Sequence, residues 1–362
     1  MQMPLTSQLN SLTDGEVAAY ALEQGLNFAL LREPMQPSAT LLVSEECYEG
    51  HMPTRREGFL CAPFANDHFL FFPDQYTRNI SPGPGASIMT SVDTGKYVSG
   101  LEAPTEYLAS VSELVEILRQ KGGKTVFSHR FEVAEVREPF EIFAGLCRKY
   151  PNAYVYCWHK AGKDDIWIGA TPELLLRSRD AKLETMALAG TRCVTDGIDT
   201  PWDDKNIEEQ SMVTEYILDT FAHCGLSAHA GSTHTLAAGP VEHICTDISA
   251  RCKVGYDLES LLLKLAPTPA VAGSDKAASL AFIQSHEHYD REYYGGYCGL
   301  IKPGGCFDFY VMLRCAKLVI TTRHAYIYVG GGITAASVPQ EEWAELCAKA
   351  STLAPFLIKN TN

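Results

Sequence analysis

The chain has 362 residues, a formal charge of −14, and a composition that is 46% hydrophobic and 20% charged. That length holds one large domain or two ordinary ones, and the acidic balance argues against nucleic acid as a partner. No apolar run approaches the roughly 18 residues of a membrane span, so no membrane partner is expected either.

Met1–Leu5 lacks the basic-then-apolar pattern of a secretory leader. The twelve cysteines form no CxxC pair. Several of them (Cys157, Cys298, Cys315) sit inside apolar runs, as buried thiols do. These features predict a cytoplasmic protein without a disulfide or zinc framework.

In chain order, a helix is predicted over residues 14 to 24, with Asp14 able to cap it. Leu26–Leu31 and His68–Phe72 read as strands. The Gly-, Pro-, Ser- and Thr-rich stretch Asn79–Gly100 reads as a loop. Residues 104 to 120 have the spacing of an amphipathic helix. Strands are predicted at Lys124–Val133, Ala153–Trp158, Ile166–Gly169, Leu174–Arg177 and Leu183–Leu188. Helices are predicted at 138 to 149, 204 to 223 and 274 to 288. Strands at 294 to 301, 307 to 319 and 324 to 329 follow, then a last helix at 339 to 352. Strands that adjoin without intervening helices indicate largely antiparallel sheets with packed helices rather than a doubly wound parallel sheet.

The most informative stretch is Gly330-Gly331-Gly332 followed by a helix carrying Glu342, Glu345 and Lys349. At i, i+3 and i+7 these three share one face. Two carboxylates on one face repel unless a cation lies between them, and hard ions such as Mg2+ favour carboxylate oxygens. Glycines, in turn, let backbone amides approach an anion. A metal site beside an anion site is one reading; a solvated helix face is the other.

Other groups also carry two readings. Glu209, near the start of a predicted helix, is either a third carboxylate for the same metal or one of a run of acids favouring the helix dipole. Glu173 leads the apolar run Leu174-Leu175-Leu176. It is either a buried, protonated general acid or an edge residue. Lys124, opening an apolar strand, is a desolvated base or a side chain that snorkels to water. Gly190-Thr191 offers amides to an anion or is an ordinary turn. Arg314, inside an apolar strand, needs a partner, and bidentate carboxylate recognition suits it. His286 and His288 do not share a helix face and receive no ligand role.

Taken together, KTVFSHR (124–130), GATPELLLR (169–177), ALAGTR (187–192), the Glu209 helix, APTPAVAG (266–273), YYGGYCGLI (293–301), MLRCAKL (312–318) and YVGGGI (328–333) with EEWAELCAK (341–349) resemble the chorismate-utilising enzymes. The resemblance covers about residues 105 to 355. It implies an α/β fold of the α+β type: a single domain with two large, mostly antiparallel sheets packed together and helices outside. Residues 1–104 would be the weakly matching N-terminal part of that domain and 105–362 its catalytic region.

Within the family, Ala189 stands where aminodeoxychorismate synthases carry a nucleophilic lysine. Lys124 stands where ammonia-using members carry glutamine. Ala270, after Pro269, stands where anthranilate and salicylate synthases carry threonine. The combination is most like isochorismate synthases, isomerases of menaquinone or siderophore biosynthesis.

The resemblance then implies chorismate as substrate and Mg2+ held by Glu209, Glu342 and Glu345. Lys124 would activate water and Glu173 would act as acid. Gly190, Thr191, Ala270, Arg314, Gly330 and Lys349 would bind the substrate. A monomer or weak homodimer is expected.

Salicylate synthase, which adds pyruvate elimination, is the alternative reading, and an anthranilate synthase component is disfavoured by Lys124. A non-catalytic relative would have lost acid, base or metal residues, and all are present. Three departures from the family pattern, Ala266, Gln210 and Asn206, bear on ring orientation and on the metal's surroundings.

Overall fold

In the computed structural model, the described residues are 5–53, 56–65, 67–82, 101–193, 201–238, 241–252 and 256–359. The first part of the chain forms α1 (Leu5–Asn10), α2 (Asp14–Glu23), β1 (Asn27–Arg32), β2 (Ala39–Ser44), β3 (Tyr48–Gly50), β4 (Gly58–Ala62), β5 (Phe69–Pro73) and β6 (Tyr76–Ile80). The middle forms α3 (Thr105–Lys121), β7 (Lys124–Val133), α4 (Pro139–Lys149), β8 (Tyr154–His159), β9 (Asp165–Thr171), β10 (Leu174–Arg179), β11 (Lys182–Cys193) and α5 (Asp204–His223). After these come β12 (Ala228–Ala238), β13 (Val241–Arg251), α6 (Leu258–Leu265), α7 (Lys276–His286), β14 (Tyr297–Ile301), β15 (Phe307–Val311), β16 (Cys315–Val319), β17 (His324–Thr334), α8 (Pro339–Ala350) and α9 (Ala354–Leu357).

The strands make two sheets, ordered β6-β2-β1-β8-β9-β16-β17-β7 and β12-β13-β11-β10-β15-β14-β4-β5-β3. Every pairing between them is antiparallel. Strands from the first 80 residues lie in both sheets.

The alternation of side chains along a strand explains why so many strands are apolar throughout. On β1, Phe28 and Leu30 join a core shared with the helices α2, α3, α4, α8 and α9, while Ala29 and Leu31 face the other sheet. On β8, Val155 and Cys157 face the helices, and Tyr154, Tyr156 and Trp158 face the second sheet. The second sheet repeats the arrangement, with Phe307, Phe309 and Val311 of β15 packed toward α5 and α6 and Tyr310 turned inward. Tyr154 and Tyr310 stack between the sheets with ring centroids 4.1 Å apart. A strand buried on both faces has no polar face to display, so its sequence loses period-2 alternation. Among the described residues no helix is long and apolar enough to cross a membrane.

Several expected elements differ from the structure. Thr13, not Asp14, caps α2, in a reciprocal pair with Glu16. The run 307 to 319 is two strands in different sheets, broken at Met312–Arg314. The glycines Gly330–Gly332 lie inside β17 rather than after it, paired with Ser128, Phe127 and Val126 of β7. Most of the Asn79–Gly100 stretch lies outside the described residues, and its first two residues end β6.

Candidate active site

Ten of the eleven residues singled out from the sequence line one cavity of about 720 Å³. They are Lys124, Glu173, Gly190, Glu209, Ala270, Arg314, Gly330, Glu342, Glu345 and Lys349. The side chain of the eleventh, Thr191, lies outside the described residues. The cavity sits where the ends of β7 and β17 of one sheet meet β11 of the other, beside the β9–β10 corner that links the two sheets, and is closed by α5 and α8.

Lys124 opens β7 and is only 6% exposed, so it does not snorkel to water. Its backbone is clamped to the segment after α6: its amide donates to Ser274 Oγ at 2.9 Å and its carbonyl accepts from the Ser274 amide at 2.9 Å. Gly273 makes this clamp possible. At φ +142° it favours glycine, and a Cβ there would meet the Lys124 carbonyl oxygen at 2.4 Å. Glu287 and Arg291, a buried pair, hold the same strand further along. Glu287 accepts the Ser128 amide at 2.7 Å, while Arg291 donates to the Val126 and Val271 carbonyls. The Lys124 ammonium donates to Glu209 of α5.

Glu173 lies at the β9–β10 corner, 5% exposed. Burial pushes its carboxyl up to about 7, against the pull of the Lys124 charge. The same burial acts on Glu209, but there the Lys124 charge, its hydrogen bond and a bond from the Gly190 amide prevail and hold the carboxyl below the usual range. The Gly190 amide is therefore engaged with Glu209. Gly190 itself sits at φ +71° in a bulge of β11, with Asn206 so close that a Cβ would meet it at 3.1 Å.

On α8, Lys349 holds Glu345 at 2.7 Å and donates to the Gly330 carbonyl at 2.9 Å. Lys349 thus keeps Glu345 ionised, below the usual carboxylate range. Glu342 moves the other way, raised by burial and by Glu345 despite a bond from Ser337. Each of the three glycines clears space for a neighbouring group. A Cβ on Gly332 would meet Lys124 Cε at 2.5 Å, one on Gly330 would meet the Tyr294 hydroxyl at 2.7 Å, and one on Gly331 would lie 3.2 Å from a Glu342 oxygen.

Arg314 is not within a strand. It occupies the corner where the chain passes from one sheet to the other, at φ +46°, a backbone region rare for a residue with a side chain. Its Nη2 meets His243 Nε2 at 3.1 Å, and His243 Nδ1 faces the Gly190 carbonyl at 3.1 Å. Burial and the Arg314 charge lower the His243 pKa to about 4, so the ring is neutral, with Nδ1–H donating and Nε2 accepting. Sequence reading missed His243. It lies on β13, a strand not foreseen, beside a β12 too polar to show alternation.

Of the three departures, Gln210 is buried between α5 and β13, donating to Thr246 Oγ1 at 2.7 Å, and Ala266 caps α6 with its carbonyl on Lys276 at 2.6 Å. Neither lines the cavity, whereas Asn206 does, with its amide group on Asp203 at 2.9 Å. His286 stacks on Phe282 and His288 is exposed, both away from the cavity.

Against known proteins, a profile described as chorismate binding enzyme matches residues 93–358. The chain belongs to the chorismate binding enzyme family. It is 31% identical over 264 residues to the salicylate biosynthesis isochorismate synthase of Pseudomonas aeruginosa, covering 68% of this chain and 54% of that protein. It is 29% identical over 245 residues to anthranilate synthase component 1 of Aquifex aeolicus, covering 64% and 48%. The matched region thus spans about half the length of these relatives. The fold matches that of MenF, the menaquinone-specific isochorismate synthase of Escherichia coli, with a TM-score of 0.78 at 20% identity over 91% of this chain and 88% of that one.

The donors fit a hard cation. Glu209, Glu342 and Glu345 offer only carboxylate oxygens, and Glu342 is raised first by burial and further by the Glu345 charge, a repulsion that a divalent ion relieves. As placed, Glu209 and Glu345 are each held by a lysine.

Proposed function

We propose that the chain is a Mg2+-dependent isochorismate synthase, converting chorismate to isochorismate. The observation that carries this reading is a buried lysine and a buried carboxyl with a pKa of about 7 on one cavity that also holds Arg314 and Lys349. Chorismate is a dianion, and a protein of charge −14 must offer it local cations.

Arg314, oriented by His243, and Lys349, held over Gly330, bind the substrate carboxylates. The Lys124 ammonium, paired with Glu209 at rest, first gives up its proton to solvent; the free amine then takes a proton from water as its oxygen bonds to C2. The ring double bonds shift, the C4–O bond breaks, and Glu173 protonates the departing hydroxyl. Water enters and water leaves, so the net change is an isomerisation. Glu209, Glu342 and Glu345 would hold Mg2+, which supplies positive charge to the ring carboxylate when bound. Ala189 provides no amine for a covalent adduct, and Ala270 and Lys124 are the residues similar to isochorismate synthases.

The test is to incubate the purified, folded protein with chorismate and Mg2+ and separate the products by chromatography. Isochorismate is expected. No isochorismate would overturn the reading, salicylate with pyruvate would assign the elimination as well, and a requirement for ammonia would assign anthranilate chemistry.

A further inference from the structure

Away from the cavity, the β12–β13 ribbon gathers three donors of different chemistry. His234 of β12 pairs directly with Cys245 of β13. Asp247 lies two residues beyond Cys245 and so on the same face. A bulge between Ala230 and Thr233 sets the register of β12 where it passes Asp247. A bulge of this kind re-aims the side chains beside it. Behind the ribbon, Thr233 and Thr246 are bonded at 2.9 Å and Gln210 holds Thr246, which fixes that register from the opposite face.

The ligand atoms of His234, Cys245 and Asp247 all lie within 4.8 Å of one another, the one such trio among the described residues. None of the three lines the cavity holding the glutamates.

We propose that His234, Cys245 and Asp247 form a second metal site, for a divalent ion of the zinc class. One imidazole, one thiolate and one carboxylate, with an open fourth position for water, suit a borderline-soft tetrahedral ion and not Mg2+. His234 and Asp247 are exposed, which gives an ion a path from solvent, and Cys245 is buried, which gives the site a dry inner side. Binding forms a metal–sulfur bond and releases the Cys245 proton to water. The site does not depend on the chain's activity toward chorismate.

The test uses protein stripped with a chelator, exchanged into metal-free buffer, and titrated with Zn2+ against a chromophoric competitor. One tight equivalent is expected. Cys245→Ser and His234→Ala should each weaken it by at least about tenfold, and Glu345→Gln should leave it unchanged. Loading with Co2+ should give a thiolate-to-cobalt charge-transfer band that Cys245→Ser abolishes. Because His234 is exposed, His234→Ala leaves the fold intact. Equal zinc uptake by wild type and His234→Ala, or a cobalt band that survives Cys245→Ser, would place the metal on other thiols and overturn the proposal.

Discussion

Buried Lys124 and half-buried Glu209 form an ion pair, so the proposed base and a proposed metal ligand neutralise each other across the cavity. They come from the start of β7 and the first turns of α5, in different halves of the sandwich. Breaking such a pair from one side leaves a buried charge, at a cost of about 3–5 kcal/mol. Lys124→Met and Glu209→Gln should each lower unfolding stability by that order, while the double variant should lose far less than the two losses added together. Denaturant unfolding measures all four proteins. Simple additivity would mean that the pair contributes nothing.

Glu173 is the proposed acid. Glu173→Gln should reduce turnover by roughly 10²–10⁴-fold while preserving substrate affinity. The wild-type carboxyl holds its proton up to about pH 7. Turnover should therefore fall as pH rises through that value, the limb that belongs to the acid. A flat profile from pH 6 to 8 would remove Glu173 from the acid role.

Stability should show the same group. In the unfolded chain Glu173 ionises near its ordinary value of 4.5, whereas in the folded chain it does so near 7. Its contribution is fully present below about pH 4.5 and is lost as pH rises through 7. Relative to Glu173→Gln, wild type should lose roughly 3 kcal/mol across that window. Parallel stability curves for the two proteins would contradict the buried, protonated carboxyl.

The glycines of β17 separate steric from electrostatic roles. Gly332→Ala places a methyl 2.5 Å from Lys124 Cε, so it should displace the amine and cut turnover about tenfold or more. Gly331→Ala meets only the end of Glu342 at 3.2 Å and should be much milder. Steady-state rates of both variants decide this, and equal rates would leave the space-clearing account without support.

Glu345→Gln should raise the Mg2+ concentration needed for half-maximal rate by about tenfold or more. An unchanged Mg2+ titration would exclude Glu345 from the metal's surroundings.

Much of this molecule was legible in the residue order. Lys124–Val133 and Asp204–His223 were found to the residue, because Gly122-Gly123 marks the start of one and the Asp203 cap marks the start of the other. Other elements were hidden for physical reasons. Residues 307 to 319 are apolar on both sides of Arg314, so nothing local reveals that the chain changes sheets there. Ribbon β12–β13 is short of apolar side chains on β12, which left His243 unseen. Gly330–Gly332 read as a break by propensity, yet the ladder with β7 holds them in a strand.

The sequence by itself determined the family motifs, the antiparallel architecture and the chemical types at the cavity, because these follow from side-chain identity and local hydrophobic pattern. Only the tertiary structure decided which groups meet. It set Lys124 against Glu209, buried Glu173 deeply enough to hold a proton near pH 7, and put a neutral His243 behind Arg314. Burial and the distance between charges govern each of those outcomes, and neither exists until strands far apart in sequence pack into one sandwich.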